Sequence, residues 1–534
     1  MDTKALRQKI LDLATRGKLV PQDPNDEPAS VLLERIRVEK QQMVKEGKLK
    51  PKDIKNDTII FVGEDNLHYE KFQDGTVKCI EDEIPFEVPE GWAWCRLNKL
   101  FHVCSAKRVR QSDWREEGVP FYRAREIVKL SDNGFVENEL FISEEHYIRV
   151  KEECGVPQSG DLMVSGVGTI GKIYIVNETD CFYYKDASVL CFENRTGIVN
   201  SEFARILLES SFLQAQMKDN SKGTTVDTIT ISAAMNYLCL LPPLKEQENI
   251  VQAVKNACIY AEEIQNNKDN LQILISKTKS KILDLAIRGQ LVPQSPDDEP
   301  ASVLLERIRA EKEELIKAGK IKRDKKESII FRGEDNSYYL KSEFGTEEIS
   351  NELPFEIPDS WEWGKIGDIM QVNPRNKLED SLEVSFIPMP LIEDGFSGKH
   401  SSDVRPWKSV KSGFTHFMEG DIGIAKITPC FENRKSVVFE NLTNGYGAGT
   451  TELHILRPYT STILAEYVLA YVKSPMFIDN GVQAFSGAVG QQRIGKDYVE
   501  GSFFPVPPLM EQARIIKQIA VVFEQLDIIS NAFL

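Results

Sequence analysis

The chain has 534 residues, of which 41% are hydrophobic, and a formal net charge of −16. This length allows several domains with buried cores, and the acidic balance argues against a protein that simply coats nucleic acid. No apolar run approaches the roughly 18 residues of a membrane helix, and the first residues do not resemble a signal peptide. The nine cysteines show no CxxC pairing, which indicates neither a disulfide framework nor a zinc site, so we expect a cytoplasmic protein without a metal.

The N-terminal part of the chain recurs in its middle. Residues 9–47 and 281–319 are identical at 29 of 39 positions without a gap. Three further pairs follow: IIFVGEDN and IIFRGEDN (59–66 and 329–336), IPFEVPEGWAW and LPFEIPDSWEW (84–94 and 353–363), and PPLKEQ and PPLMEQ (242–247 and 507–512). Similar repeated blocks thus flank two different inserts. This pattern predicts two domains of different specificity that are held at a fixed position relative to each other.

Each copy of the first repeat contains Asp-Glu-Pro-Ala-Ser before an amphipathic run, which predicts helices capped by Ser30 and Ser302. The Lys/Glu-rich segments that follow, 40–55 and 311–327, are typical of solvated helix ends or linkers, with nucleic-acid contact as the alternative.

Residues 245–288 contain neither Gly nor Pro and predict a helix on the order of 65 Å long. Between Ile250 and Leu285, eleven positions are spaced alternately four and three residues apart, and nine of them are apolar. This spacing is typical of a coiled-coil seam. The C-terminal residues 515–533 and the N-terminal residues 6–13 continue the same seam. We therefore expect both chain ends to rebuild a second copy of this helix, the alternative being two terminal helices that are unrelated in space.

The inserts contain short β-rich runs at 162–164, 172–176, 188–192, 436–439 and 451–456. The predicted fold class is α+β: two globular mixed α/β domains separated by two long packed coiled-coil elements in a pseudo-twofold circular repeat. The predicted boundaries are 1–55 for the N-terminal helical repeat, 84–241 for the first domain, 242–325 for the central coiled-coil region, 353–506 for the second domain and 507–534 for a C-terminal helix that pairs with the N-terminal and central helices.

One glycine-rich segment, GVGTIG at 166–171, satisfies the dinucleotide-binding pattern and with Lys172 nearly satisfies a P-loop. Both motifs require a helix after the glycines, whereas residues 172–176 predict a strand, so a β-turn is favoured. The six histidines are scattered without HExxH, and the nearest string to a base-flipping methyltransferase tetrapeptide, Asn-Pro-Arg-Asn at 373–376, lacks the second proline and the aromatic residue. These observations predict a non-catalytic chain.

Basic and amide side chains that suit DNA cluster in both inserts. Arginine and glutamine fit the edges of guanine and adenine, and lysine fits phosphate. In the first insert the alternative is ordinary surface arginines paired with Glu116, Glu117 and Glu126. The candidate DNA-binding residues are Lys107, Arg108, Arg110, Gln111, Arg115, Arg123, Arg125, Lys172, Lys222, Thr224, Asn373, Arg375, Asn376, Lys377, Asn433, Arg434, Lys435, Gln491, Gln492 and Arg493.

The PPL-x-EQ blocks before long helices, the paired L-x-x-x-RG-x-L-V-P-Q and ASVLLERIR blocks and the GTIGK string at 168–172 together resemble the specificity subunit of type I restriction–modification enzymes. The resemblance implies two target-recognition domains, each recognising half of a split double-stranded DNA site, and helices that set the distance and dock partners. It also implies two methylation subunits, with S-adenosylmethionine and adenine N6 chemistry, and two restriction subunits that use ATP and magnesium. No cofactor is expected on this chain itself.

Two other classes remain open from the sequence. A coiled-coil scaffold would join protein partners without recognising DNA, and a duplex with a defined split sequence would then not bind. A nucleotide-dependent enzyme would bind ATP or a dinucleotide as an isolated chain.

Overall fold

The computed structural model describes residues 3–219, 227–323, 327–459, 462–488 and 492–533. The chain divides into two compact units, Met1–Asn267 and Lys268–Leu534. Within the described residues, no helix is long and apolar enough to cross a membrane.

The first unit contains most of the helix α10, which continues into the second unit. Its helices are α1 (Thr3–Thr15), α2 (Ala29–Lys45), α3 (Pro51–Ile54), α4 (Leu97–Leu100), α5 (Ala124–Asn133), α6 (Glu144–Cys154), α7 (Ser201–Glu209), α8 (Ser211–Asp219), α9 (Ile231–Met235) and α10 (Leu244–Ile287). Its strands are β1 (Ile59–Val62), β2 (His68–Lys71), β3 (Val77–Cys79), β4 (Ala93–Arg96), β5 (His102–Cys104), β6 (Val119–Tyr122), β7 (Phe141–Ile142), β8 (Leu162–Ser165), β9 (Ile173–Ile175), β10 (Tyr183–Tyr184), β11 (Val189–Glu193) and β12 (Leu238–Leu241).

The second unit follows the same plan. Its helices are α11 (Ala301–Lys317), α12 (Ile366–Ile369), α13 (Trp407–Val410), α14 (Ala465–Val472), α15 (Pro475–Gln483), α16 (Lys496–Gly501) and α17 (Leu509–Ala532). Its strands are β13 (Ile329–Arg332), β14 (Tyr338–Ser342), β15 (Gly345–Glu348), β16 (Glu362–Lys365), β17 (Met370–Val372), β18 (Glu383–Ile387), β19 (Asp403–Pro406), β20 (Thr415–Met418), β21 (Ile422–Ala425), β22 (Ser436–Val438), β23 (Tyr446–Gly449), β24 (Leu453–Pro458) and β25 (Phe503–Val506).

The main sheets of the two inserts have the same topology. Their strand orders are β5-β11-β8-β9 and β17-β24-β21-β22, and all neighbouring strands are antiparallel. A second sheet in each unit contains a parallel pair, β6 with β10 and β18 with β23. The mixed helix-and-strand prediction is confirmed, and the main sheets of two inserts with little common sequence have one strand order.

The paired tripeptides Gly-Asp-Leu at 160–162 and Gly-Asp-Ile at 420–422 explain part of this likeness. Both glycines lie at positive φ, +87° and +80°, where a β-carbon is disfavoured. One carboxylate oxygen of Asp161 accepts from the Gln158 amide, and one of Asp421 accepts from the Met418 amide, both at 2.8 Å. The aspartate therefore closes the same turn immediately before β8 and before β21.

The predicted long helix is confirmed as α10, with 44 residues. Its seam residues Ile250 and Val254 are buried in the first unit, and Ile275 and Ile282 in the second, whereas Ile264 near the middle is 44% exposed. Burial along the seam is thus interrupted. The ends of the chain, Met1 and Leu534, lie outside the described residues, so their proximity stays a prediction.

One local prediction is wrong. Helices α2 and α11 begin at Ala29 and Ala301 without a side-chain cap, because these alanine amides donate to the carbonyls of Gly91 (2.8 Å) and Ser360 (3.0 Å), so neither Ser30 nor Ser302 acts as the cap. Most described residues of the repeated basic segments are exposed or partly exposed, as predicted.

In those segments Lys40 and Lys312 are buried. The Lys40 ammonium lies 3.2 Å from a carboxylate oxygen of Asp57, and that of Lys312 lies 3.0 Å from Glu327. Burial, only partly offset by Asp57, lowers the pKa of Lys40. These lysines fix the chain after each helix rather than contacting solvent.

The glycine-rich string 166–171 is a turn between strands. Residues Ile173–Ile175 form β9 directly after it, so the helix that a P-loop or dinucleotide motif requires is replaced by a strand. The preference for a β-turn is confirmed.

Candidate nucleic-acid interface

The hairpins β8–β9 and β21–β22 place two candidate lysines at equivalent positions. The Ser165 amide donates to the carbonyl of Lys172 at 2.9 Å, and the Ala425 amide donates to the carbonyl of Lys435 at 2.9 Å. Lys172 and Lys435 thus end equivalent turns. The Lys172 ammonium pairs with Asp132, and that of Lys435 lies 3.3 Å from the carbonyl of Met389.

A returning segment pairs with each of these turns. The Ile229 amide donates to the carbonyl of Gly166, and the Ile494 amide to that of Lys426, both at 2.9 Å. Single β-bridges join Val167 to Thr228 and Ile427 to Arg493.

The remaining candidates of this region lie on or before the returning segment. Gln492 accepts from the Thr428 amide through its carbonyl at 3.0 Å, and Arg493 forms a two-point ion pair with Glu452, each contact 2.9 Å. Lys222, Thr224 and Gln491 lie outside the described residues.

The loop after β5 carries exposed arginines. Arg108, Arg110 and Gln111 are exposed, and in the described part of the chain their side chains have no recorded hydrogen bond or ion pair. Lys107, also exposed, pairs with Glu153. This loop therefore offers side chains that are available to an external partner.

The loop after β17 is its counterpart in the second unit. Lys377 is exposed and, among the described residues, has no recorded partner. Arg375 is exposed and donates to the carbonyl of Phe414 at 2.8 Å. Asn433, on the neighbouring hairpin turn, is exposed as well.

Three arginines of the first insert form intramolecular contacts. Arg123 and Arg125 both contact Glu126, at 2.8 and 2.6 Å, and Glu126 is buried. Burial alone would raise the pKa of Glu126, but the hydrogen bonds from both arginines outweigh it and lower that pKa. Arg115 donates to the carbonyls of Ser112 and Trp114. The alternative of internally paired arginines thus describes Arg123 and Arg125.

Three candidates of the second insert also have internal partners. Asn373 adopts φ +57° and accepts from the Ile455 amide at 2.9 Å. Asn376 donates to the carbonyl of Phe417 at 2.9 Å, and Arg434 donates to that of Lys473 at 3.0 Å. These side chains position loops.

A cavity of about 670 Å³ in the first unit adds basic residues that the sequence did not single out. It lies between α1, α8 and the turn that ends at Lys172. Its cationic lining residues are Lys4, Arg7, Lys172 and Lys218, opposed by Asp132 and Glu209. Arg7 and Lys218 are far apart in sequence and lie in helices without basic runs, so only the packing of α1 on α8 brings them together.

One group of side chains in the described residues has the composition of a metal site. Ligand atoms of His102, Cys104 and Glu193 lie within 4.8 Å of one another on β5 and β11. Spacing along the chain gave no signal of it, because the residues come from strands that are paired in the sheet but 89 positions apart between Cys104 and Glu193.

The two units define a duplicated α+β protein with basic loops at equivalent positions. Residues 89–273 match the family model described as "Type I restriction modification DNA specificity domain". The chain is 48% identical over 244 residues to the EcoAI specificity subunit and 45% identical over 243 residues to the EcoEI specificity subunit, both type I restriction enzymes of Escherichia coli. Each match covers 45% of this chain and 38% of the relative. The resemblance to type I specificity subunits is confirmed.

A solved structure supports the fold. A chain from "Structural basis underlying complex assembly and conformational transition of the type I R-M system" aligns with 84% of this chain and 94% of its own length, with a TM-score of 0.50 and 17% identity. At 17% sequence identity, the similarity concerns only the arrangement of helices and strands.

Proposed function

We propose that this chain is a non-catalytic subunit that recognises a split double-stranded DNA sequence, with one unit for each half of the target. The main support is the equivalence of the two units: the main sheets have the same strand order, and the loops after β5 and β17 both carry exposed basic side chains. A common scaffold with different loop residues suits the recognition of two different half-sequences.

Within each unit the candidate side chains fall into two groups, those that are exposed and those that bond within the protein. Arg108, Arg110 and Gln111 in the first unit, and Arg375 and Lys377 in the second, are exposed and have the donors that base edges and phosphates accept. We assign base recognition to these loops. Arg123, Arg125, Asn373, Asn376 and Arg434 hold the loops in place through internal bonds.

The cationic cavity of the first unit suits the DNA backbone. Arg7, Lys172 and Lys218 surround it, and lysine or arginine near phosphate contributes affinity without sequence preference. Lys435, at the position equivalent to Lys172, is the corresponding candidate in the second unit, together with Gln492.

We further infer that the chain acts in the cytoplasm within a complex of two methylation and two restriction subunits. Adenine methylation, with S-adenosylmethionine, and cleavage, with ATP and magnesium, belong to those partners in this proposal. Exposed apolar residues on the long helices, such as Tyr260 and Leu274 on α10 and Ile528 on α17, are candidate contacts for them.

Sequencing of methylated adenine in the host genome, with and without the gene, tests the proposal. We expect a bipartite motif with an unread spacer to lose its methylation when the gene is deleted. If every methylated motif persists in the deletion strain, the proposal is wrong. Failure of a duplex that contains the motif to bind the chain together with the methylation subunits would instead favour a scaffold that does not recognise DNA.

A further inference from the structure

Two cysteines lie side by side on neighbouring strands of the main sheet of the first unit. Cys104 on β5 and Cys191 on β11 are direct partners in an antiparallel ladder. Such partners have Cα atoms about 4.5–5.5 Å apart, inside the roughly 4.4–6.8 Å over which disulfides form. Both cysteines are free thiols in the structure, so the strands already hold the pair at bonding separation.

A histidine–glutamate pair lies next to these thiols. His102 and Glu193 are also direct ladder partners, two residues from Cys104 and Cys191, and therefore on the same face of the sheet. The His102 Nδ1 atom lies 2.6 Å from the carboxylate of Glu193, which also accepts from Arg195 at 2.6 Å.

Accessibility distinguishes the two thiols. Cys104 is partly exposed, whereas Cys191 is buried in the sheet. A small oxidant therefore reaches Cys104 first, and Cys191 lies in register to complete a disulfide.

The second unit shows that the fold does not require this cluster. Asn373 and Ile455 pair through their backbones at the positions of Cys104 and Cys191, as the matching registers place them. Gln371 and Arg457 occupy the positions of His102 and Glu193. The four residues are therefore free to serve another purpose.

The first unit also contains a contrasting pair. Cys95 on β4 and Cys239 on β12 are direct antiparallel partners, but both are buried and no histidine or carboxylate is recorded as bonded to them in the described residues. Burial raises the pKa of Cys95 to about 12. This pair has the strand register of a disulfide but no partly exposed thiol.

We propose that Cys104 and Cys191 form a peroxide-sensitive dithiol site, in which Cys104 is oxidised and Cys191 completes a disulfide. The Cys104 thiolate attacks one oxygen of hydrogen peroxide, the O–O bond breaks and hydroxide leaves, which gives a sulfenic acid. The Cys191 sulfur then attacks the Cys104 sulfur, the S–O bond breaks, and the hydroxyl leaves as water with the thiol proton. Two thiols lose two electrons, and the peroxide becomes water.

Bond formation would join the end of β5 covalently to β11. Cys104 is the last residue of β5, and the loop with Arg108 and Arg110 follows it. An effect of oxidation on DNA recognition rests on the proposed function, whereas formation of the disulfide does not.

The test is peptide mapping of the full-length chain after brief treatment with hydrogen peroxide, with alkylation of the remaining thiols. Exposed Cys79, Cys154 and Cys181 are replaced by serine so that they do not compete. We expect a linked Cys104–Cys191 peptide, lighter by two hydrogen atoms, while Cys95 and Cys239 are recovered alkylated.

Matched variants use residues that the second unit already contains. Cys191→Ile should leave Cys104 as a sulfenic acid that a dimedone probe labels. Cys104→Asn should abolish the linked peptide and leave Cys191 recovered alkylated. If Cys104 and Cys191 stay reduced, or if Cys95 and Cys239 link at the same rate, the proposal is wrong. Oxidation that requires prior removal of metal by a chelator would make the cluster a metal site and also overturn it.

Discussion

The indole nitrogen of Trp92 donates a 2.8 Å hydrogen bond to the carboxylate of Glu246, and both side chains are buried. The other oxygen of Glu246 accepts from Gln22 at 3.1 Å. The second unit repeats this node with Trp361, Gln294 and Glu511, at 2.9 and 2.6 Å. One hydrogen-bonded node thus joins the Val-Pro-Gln, Gly/Ser-Trp and PPL-x-EQ blocks, which explains why these blocks recur together.

We predict that Glu246→Gln destabilises the protein by about 1–3 kcal/mol, because a glutamine places an N–H group against one of the two donors and leaves it unsatisfied. Chemical denaturation measures the change. Glu511→Gln is the matched variant in the second unit and should cost a similar amount. Wild-type unfolding midpoints in both variants would show that the node does not stabilise either unit.

The exposed and internally bonded arginines of the first insert should behave differently. Arg108→Ala or Arg110→Ala should weaken or broaden recognition of one half-site while the unfolding temperature stays unchanged. Arg123→Ala should lower the free energy of unfolding by about 1–3 kcal/mol, because the buried Glu126 loses a charged partner. Binding to duplex DNA and thermal unfolding, measured on the same preparations, separate the two effects. Unchanged DNA recognition in both Arg108→Ala and Arg110→Ala would remove this loop from the interface.

The cationic cavity should contribute affinity without sequence preference. Arg7→Ala should weaken binding to all duplexes alike and reduce the slope of log K against log salt by about 1. Lys48→Ala, an exposed lysine that does not line this cavity, is the control and should leave the slope unchanged. A variant that altered the preferred sequence but not the salt slope would contradict a phosphate contact.

The pH dependence of stability should include a contribution from Asp161. Burial raises the pKa of Asp161 from 3.8 to about 6. A carboxyl whose pKa is raised by folding stabilises the protein below its unfolded pKa, and this stability is lost as the pH rises through the folded value. The free energy of unfolding of Asp161→Asn, minus that of the wild type, should therefore increase between pH 4 and about 6 and stay constant above pH 7. A difference that stays flat across this range would contradict the shift.

The sequence predicted the repeats, the long helix and the strands around residues 162, 173, 189, 436 and 453, because these depend on local pattern. It did not reveal that both inserts share one topology, since the common features reduce to short turns such as those of Asp161 and Asp421. It also could not separate free from paired arginines. Arg125 pairs with Glu139, 14 positions away, and Lys40 with Asp57, 17 positions away, and only the folded chain brings such partners together.

The exchange of residues 96–241 for the corresponding insert of a relative tests the central claim most directly. Genomic adenine methylation, sequenced in a strain that carries the hybrid and both partner subunits, should show one half of the bipartite motif replaced and the other half unchanged. A hybrid that retains both original half-sites, or that changes both together, would contradict the assignment of one half-site to each unit.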